Sequence, residues 1–473
     1  MKKGREVEKM PKKTYTVSTR LQIQSPLVVY MKDYMNDYNK MYRYAWQVYT
    51  SPTYAFATDS KFRTHLCETF GILGRTANSI IRGMKGTIEA YWELQKTEVQ
   101  QLERKIEKNE AKVKQLETDI NQLKPKITKN EATKQELEKY RAKKQSLYFQ
   151  KNKLNQRKQQ KQNLTYRIKH HQISVGFGGK SFFRKQYFLR ENQYHTHQSW
   201  YEDYKKQRDK NVSYLGSNNE TQGNQMFQMT YNKDTDDFII QVRKDFGYDK
   251  EEKYILDKVK FKYQKEILKQ ICMAYEQKER PSALSYRVHR EGKKWYLQVM
   301  FTIEYRDYET TSVNGVLGLD YNDGFIELSE TDEKGNLIGL YHYDLHYHGT
   351  GNKAKTEIEQ VISQIVTKAK EKGKSIVIEQ LDFKKTKAQQ TKGKIQKGKE
   401  YNRMLHQFDY SRYQTVLEYG SHRKKVELIK VNPKNTSKIG KQKYKDRMKL
   451  SVHQAASYVI ARRGQGYQDR FVS

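Results

Sequence analysis

The spacing of hydrophobic positions changes several times along the chain, and each change predicts a different kind of element. Residues Thr14 to Gln24 alternate apolar and polar, the period of one strand, and Pro26 ends it. From Val28 to Val48 the period becomes helical, with Met31, Met35, Tyr38, Tyr42, Ala45 and Tyr49 in one stripe. Such a stripe is a core face; its aromatics stack on bases only if that face is exposed. Ser79 to Leu123 reads as helix, and Leu102, Ile106, Asn109, Val113, Leu116, Ile120 and Leu123 step by four and three. This is a heptad seam with one polar seat, Asn109. Pro125 is expected to break it. Leu137, Tyr140, Leu147 and Leu154 carry a weaker seam, which predicts an antiparallel helical hairpin folding back at Pro125.

Near Ile173 the period falls to two. Met226–Tyr231 against Phe238–Val242, and Ala283–His289 against Lys294–Ile303, read as hairpins across polar turns. A helix near Lys265 to Gln277 interrupts them. The Gly176-Phe177-Gly178-Gly179 cluster lacks the Gly-Lys-Ser/Thr ending of a phosphate loop. Residues 169–312 are therefore expected to form a small β-barrel completed by the strand in 1–26, with the helical region 27–168 inserted into it.

The remainder, 313–473, alternates strands and helices. Val316 to Leu319 runs into Asp320, and Asn322-Asp323-Gly324 turns the chain into Phe325-Ile326-Glu327-Leu328. A helix over 355–371 presents Ile358, Val361, Ile362, Ile365, Val366 and Ala369 on one face and stops at Gly373. Ser375 to Ile378 is a second apolar strand ending in a carboxylate, Glu379. Residues 384–404 are a basic, apolar-poor loop; a helix near Tyr413–Tyr419, a strand Val426–Val431 and a final helix from Ser451 follow. Ser451 and Gln454 form a capping-box signature that places His453 in the first turn. This order fits an RNase H-type α/β fold, in which acids converge from strand ends and a last helix. Carboxylates after apolar strands are either satisfied by backbone or lysine, or bound to cations. His453, expected neutral near a helix N-terminus, is either a ligand or base, or a residue that merely bonds a neighbour.

Charge narrows the function. The 473 residues carry 91 Lys and Arg against 55 Asp and Glu, a net +36, with 37 Tyr. A polyanionic partner is implied, nucleic acid first. Two distant cysteines, Cys67 and Cys272, exclude a disulfide framework and a Cys-x-x-Cys zinc ribbon. With no run of roughly 20 apolar residues and no signal-peptide core, a cytoplasmic, nucleoid-associated protein without a membrane partner is expected.

Gly318-Leu319-Asp320-Tyr321-Asn322, Val377-Ile378-Glu379-Gln380-Leu381, Val431-Asn432-Pro433 with Thr436-Ser437, and the last helix with Ala455-Ala456 resemble the transposon-encoded TnpB family. Its members are RNA-guided DNA nucleases with a split RuvC-like domain, related to type V CRISPR effectors. The resemblance implies a multidomain α+β chain: a helical recognition lobe with a coiled-coil hairpin inserted in a wedge-like β-barrel, then an RNase H/RuvC-like α/β nuclease domain. It also implies guide RNA and a double-stranded DNA target as partners, and Mg2+ or Mn2+ as cofactor. Asp320 and Glu379 match the family's first two metal-binding acids. His453 stands where the third, an Asp, is usual; some RuvC-like resolvases have a His at the corresponding position. The family's four-Cys zinc ribbon has no counterpart, so no structural zinc is expected. Three functions follow: a metal-dependent RNA-guided DNA endonuclease, a catalytically degenerate RNA-guided DNA-binding repressor, and a resolvase-like nuclease without a guide.

Binding to duplex DNA should weaken steeply with salt, with a log–log slope near −0.9 per phosphate neutralised. A filter-binding titration between low and high salt measures it, and a flat slope would remove the electrostatic argument.

Overall fold

The computed structural model describes residues 11–51, 53–54, 56–245, 252–305, 307–322, 324–346, 351–380 and 410–469. The basic loop expected over 384–404 lies outside them. The chain divides into two compact units, Thr14–Thr302 and, separately, Met1–Lys13 with Ile303–Ser473.

In the first unit, β1 (Lys13–Leu21) pairs with β7 (Lys294–Ile303), which pairs with β6 (Ser285–Glu291), which pairs with β2 (Asn211–Tyr214). A second sheet holds β3 (Phe227–Asn232), β4 (Asp237–Arg243) and β5 (Tyr254–Val259). Both predicted hairpins form, as β3–β4 and β6–β7. The closed barrel does not form among the described residues, whose strands here make two separate sheets. Asn224 gives the reason. Its buried amide donates to the carbonyls of Tyr214 (3.2 Å) and Leu284 (2.9 Å) and accepts from the amides of Met226 and Phe227 (3.0 Å each). One side chain thus satisfies backbone groups that a continuing ladder would have used, and the chain leaves the first sheet for the second. Phe227 and Tyr286 stack at 4.2 Å where the two sheets meet.

The helices lie in the chain between β1 and β2. Helix α1 (Pro26–Tyr49) is capped by Ser25 and begins with Pro26. Its Met and Tyr stripe is core: Leu27, Met31, Met35, Tyr38 and Ala45 are buried. After α2 (Asp59–Phe70), α3 (Gly74–Thr128) runs straight through Pro125. The expected break is displaced because Asn130 supplies a better stop. At φ 56° it lets the amides of Asn130 and Glu131 reach back to the carbonyls of Ile127 (3.1 Å) and Lys126 (2.9 Å). Helix α4 (Lys134–Lys169) returns antiparallel, opened by a capping box between Thr133 and Glu136. The Glu136 carboxyl is held down to about 2 by Lys126, 2.9 Å away, and by the Thr133 amide. The seam buries Leu102, Ile106, Val113 and Ile120 on α3 and Leu164 on α4. Asn109 takes its predicted polar seat and accepts from Arg157 at 2.9 Å. Acids on α3 meet lysines on α4 in Asp119–Lys143, Glu117–Lys151, Glu110–Lys158 and Glu103–Lys161, at 2.6–2.9 Å. Their descending and ascending numbers specify an antiparallel register, though each exposed pair adds little stability. Helices α5 (Lys180–Arg184) and α6 (His197–Arg208) complete this region, and α7 (Lys265–Glu276) follows β5.

The second unit is a five-stranded sheet in the order β10-β9-β8-β11-β12: Leu337–Asp344, Phe325–Thr331, Thr311–Asn322, Lys374–Glu379 and Leu428–Val431. The first three are antiparallel neighbours; β8, β11 and β12 run parallel. Helices α8 (Asn352–Glu371) and α9 (Tyr410–Arg423) cover one face, where Leu317, Leu319, Ile376 and Ile378 pack against Ile362, Ile365, Val366 and Leu417. After α10 (Thr436–Gly440), α11 (Val452–Gly464) lies on the opposite face against Val316, Val377 and Val431. Its approach is very close. A Cβ on Gly318 would lie 2.4 Å from the Ser457 carbonyl oxygen and 2.5 Å from the Ala461 amide nitrogen. Ser457 and Ser329 share a 2.5 Å hydrogen bond across the same interface. At the other end of the sheet the buried Glu330 is satisfied by Lys374 (2.7 Å), Lys372 (2.9 Å) and the Tyr341 hydroxyl (2.8 Å), and is held down to about 2 despite its burial.

Gly318→Ala should destabilise this unit by about 1–3 kcal/mol or more, the usual cost of overpacking, because the obstructing atoms are backbone. Urea unfolding would show a lower midpoint; an unchanged midpoint would mean that the helix can retreat freely.

Candidate functional site

Alternation along the strands decides which side chains share a face. Leu317 and Leu319 point towards α8, so Val316, Gly318 and Asp320 face α11. Asp320 opposes Glu327 across the β8–β9 ladder, and Glu327 opposes His342 on β10. On the other side Ile378 pairs with Leu319, so Glu379 comes next beside Asp320. His342, Glu327, Asp320 and Glu379 therefore form one lateral row across four strands, beneath the N-terminal turn of α11.

Ser451 caps α11, its hydroxyl accepting from the Gln454 amide at 3.0 Å while the Gln454 side chain accepts from the Ser451 amide at 3.0 Å. The box holds His453 over the row, with Nδ1 3.3 Å from Asp320 Oδ2. Asn322 donates to the same Asp320 oxygen at 3.1 Å. Phe325 meets the His453 ring edge-on at 5.2 Å and stacks on His342 at 5.3 Å. The helix N-terminus was expected to favour the neutral His453 ring, and the local balance runs the other way. The ring's hydrogen bond to Asp320 raises the pKa above the ordinary 6.5, outweighing partial burial. A carboxylate at contact distance counts for more than the helix N-terminus.

Glu379 is more enclosed. Burial raises its pKa, the 2.5 Å hydrogen bond from the Thr436 hydroxyl opposes that, and the Asp320 charge raises it again. The two acids are thus electrostatic neighbours. Thr436, itself buried, opens α10 directly after Asn435, which is at φ 62°. Thr436 therefore acts as a clamp on Glu379.

The structure brings Asp320 and His453 into contact and puts Glu379 next to Asp320 on the same face. Among the described residues no three His, Cys, Asp or Glu side chains are gathered closely enough to enclose a metal ion. The donor chemistry nevertheless suits one: two carboxylates on neighbouring strands offer the hard oxygens that Mg2+ and Mn2+ prefer. Sequence reading gave no site role to Glu327, His342 or Thr436, although Glu327 and Thr436 stood in stretches it singled out. For Glu327 the signal was present, because the tight turn pairing Asn322 with Phe325 sets Asp320 opposite Glu327.

Comparison with known proteins adds little. No protein-family model matches the chain, and no curated protein matches it. Among solved structures, a Cas12f1–sgRNA–target DNA complex aligns over 53% of this chain and 66% of that one, just under two thirds, at 14% identity and a TM-score of 0.22. A likeness of that size leaves function to be argued from the residues. Among the described residues no helix is long and apolar enough to cross a membrane.

His453 should titrate above the ordinary 6.5, and Asp320→Asn should bring it back down. Carbon-13 NMR of labelled histidine rings measures both. An Asp320→Asn spectrum with an unmoved His453 would break the pairing.

Proposed function

We propose that the chain is an RNA-guided, divalent-metal-dependent DNA endonuclease of the TnpB type, associated with a transposon, whose unit over 313–473 is an RNase H/RuvC-like nuclease. The observation that carries this reading is the strand-end pair Asp320 and Glu379, electrostatic neighbours under the first turn of the last helix. The strand order, with three antiparallel strands followed by two parallel ones, supports the RNase H-type assignment. The net charge of +36 supports guide RNA and DNA as partners. In such a protein base pairing reads the target, and the protein holds backbone and shape.

Divalent cations bound here would activate the attacking water and stabilise the leaving oxygen. Asp320 and Glu379 would hold them. Asn322 and Thr436 each donate a hydrogen bond to one of those carboxylates. Phe325 and the N-terminal turn of α11 keep His453 at the rim, as third ligand or base.

A second reading is favoured by one observation. The residue meeting Asp320 from α11 is a basic imidazole rather than an acid, so the site already carries a partner for its carboxylate. The same fold would then be a guide-dependent DNA-binding repressor without cleavage.

Asp320→Ala and Glu379→Ala should each lower cutting of a guide-matched DNA by more than about 100-fold, about 2.7 kcal/mol of barrier, while RNA binding is kept. His453→Asp should raise Mg2+-supported cutting by restoring an oxygen donor. A parent chain that binds guide-matched DNA yet cuts with neither Mg2+ nor Mn2+ selects the repressor. Variants at Asp320 or Glu379 that cut at the parent rate would remove the site.

A further inference from the structure

Glu327 has no role in the readings above, and its surroundings are unusual. It sits on β9 directly opposite Asp320, and its side chain is only 6% exposed. His342 Nδ1 lies 2.9 Å from Oε1, and His342 Nε2 lies 3.0 Å from Asp344. The other oxygen, Oε2, is buried with no hydrogen-bond partner. A buried carboxylate oxygen left unpaired costs free energy, and the sheet resolves the same problem differently a few residues away. There Glu330 receives two lysines and a tyrosine. Among the described residues, no lysine or arginine pairs with Glu327.

Oxygens with spare lone pairs, turned to the face that holds Asp320 and beneath His453, are what a hard cation recognises. We infer that Glu327 is the third carboxylate of the metal site, supplied from β9 where the last helix offers only His453. This inference rests on the metal-dependent reading above and changes its donor set to Asp320, Glu327 and Glu379. In the absence of a cation, His453 and Asn322 hold Asp320 and His342 holds Glu327, which accounts for side chains not gathered around one point. His342 is a positioning residue: it occupies Oε1 and leaves Oε2 for the cation.

The test is Mn2+ binding by the full-length chain, followed by loss of the free-ion electron paramagnetic resonance signal, alongside thermal melting with and without Mn2+. Glu327→Gln keeps the shape and removes the charge. It should weaken Mn2+ binding by at least about tenfold, abolish the gain in melting temperature that Mn2+ gives, and melt in EDTA no lower than the parent. Glu327→Asp should bind Mn2+ more weakly than the parent and more tightly than Glu327→Gln. Parent-like Mn2+ binding in Glu327→Gln, with loss in Asp320→Asn, would overturn the third carboxylate and leave the two-acid reading standing. Parent-like binding in both would defeat the metal reading itself. A Glu327→Gln chain that melts far below the parent in EDTA, or does not fold, would show a structural carboxylate and overturn the inference.

Discussion

The C-terminal unit depends on a distance that only glycine permits. Where α11 crosses β8 at Gly318, backbone meets backbone with no room for a methyl group. The same closeness recurs at Gly464, whose added Cβ would lie 2.2 Å from Val377, and at Gly440, 2.7 Å from Ala455. Small residues thus let the last helix sit directly on the sheet. That seating brings the first turn, and His453 with it, to the level of the strand-end acids. Packing and chemistry are coupled here: the helix is positioned by missing side chains, and its imidazole reaches Asp320 because of them.

The sheet separates two treatments of buried charge. At one end Glu330 is neutralised by Lys374 and Lys372, a self-contained arrangement that holds its carboxyl in the ionised form. At the other end Asp320, Glu327 and Glu379 lie in a row served by hydroxyl, amide and imidazole groups. In a chain of net charge +36, placing no lysine or arginine in direct ion-pair contact with these three among the described residues is a local exception, consistent with a site kept open for another cation.

Much of this was legible in residue order. Continuous apolar runs located β8 and β11 and the acids that follow them, the heptad seam located the hairpin with its Asn109 seat, and the Ser451 and Gln454 pair located the start of α11. What eluded sequence reading has physical causes. Pro125 did not end α3, because a left-handed Asn130 with two backward hydrogen bonds outcompetes one missing donor. Among the described residues the strands of the expected barrel form two sheets, and the buried amide of Asn224 bonds backbone groups at the edge of one and the start of the other. The pKa of His453 is raised rather than lowered because a carboxylate 133 residues away in the chain lies beside it, a proximity no local motif encodes. Glu327 was hidden for a different reason: its meaning lies in a pairing across the turn rather than in its own neighbours.

The continuity of α3 gives the helical hairpin a mechanical character. At 1.5 Å per residue its 55 residues span about 80 Å. Only its foot, from Thr76 to Met84, is embedded among buried side chains of the body, whereas from Leu102 onward it packs on α4. A rigid rod anchored at one end works as a lever. A tilt of roughly 5° at the foot would carry the tip about 7 Å, by the same geometry, enough to gain or lose a whole layer of contacts with whatever lies beside it. Small rearrangements around Ser79, Ile80 and the Tyr-rich face of α1 are thereby magnified at a point far from their origin.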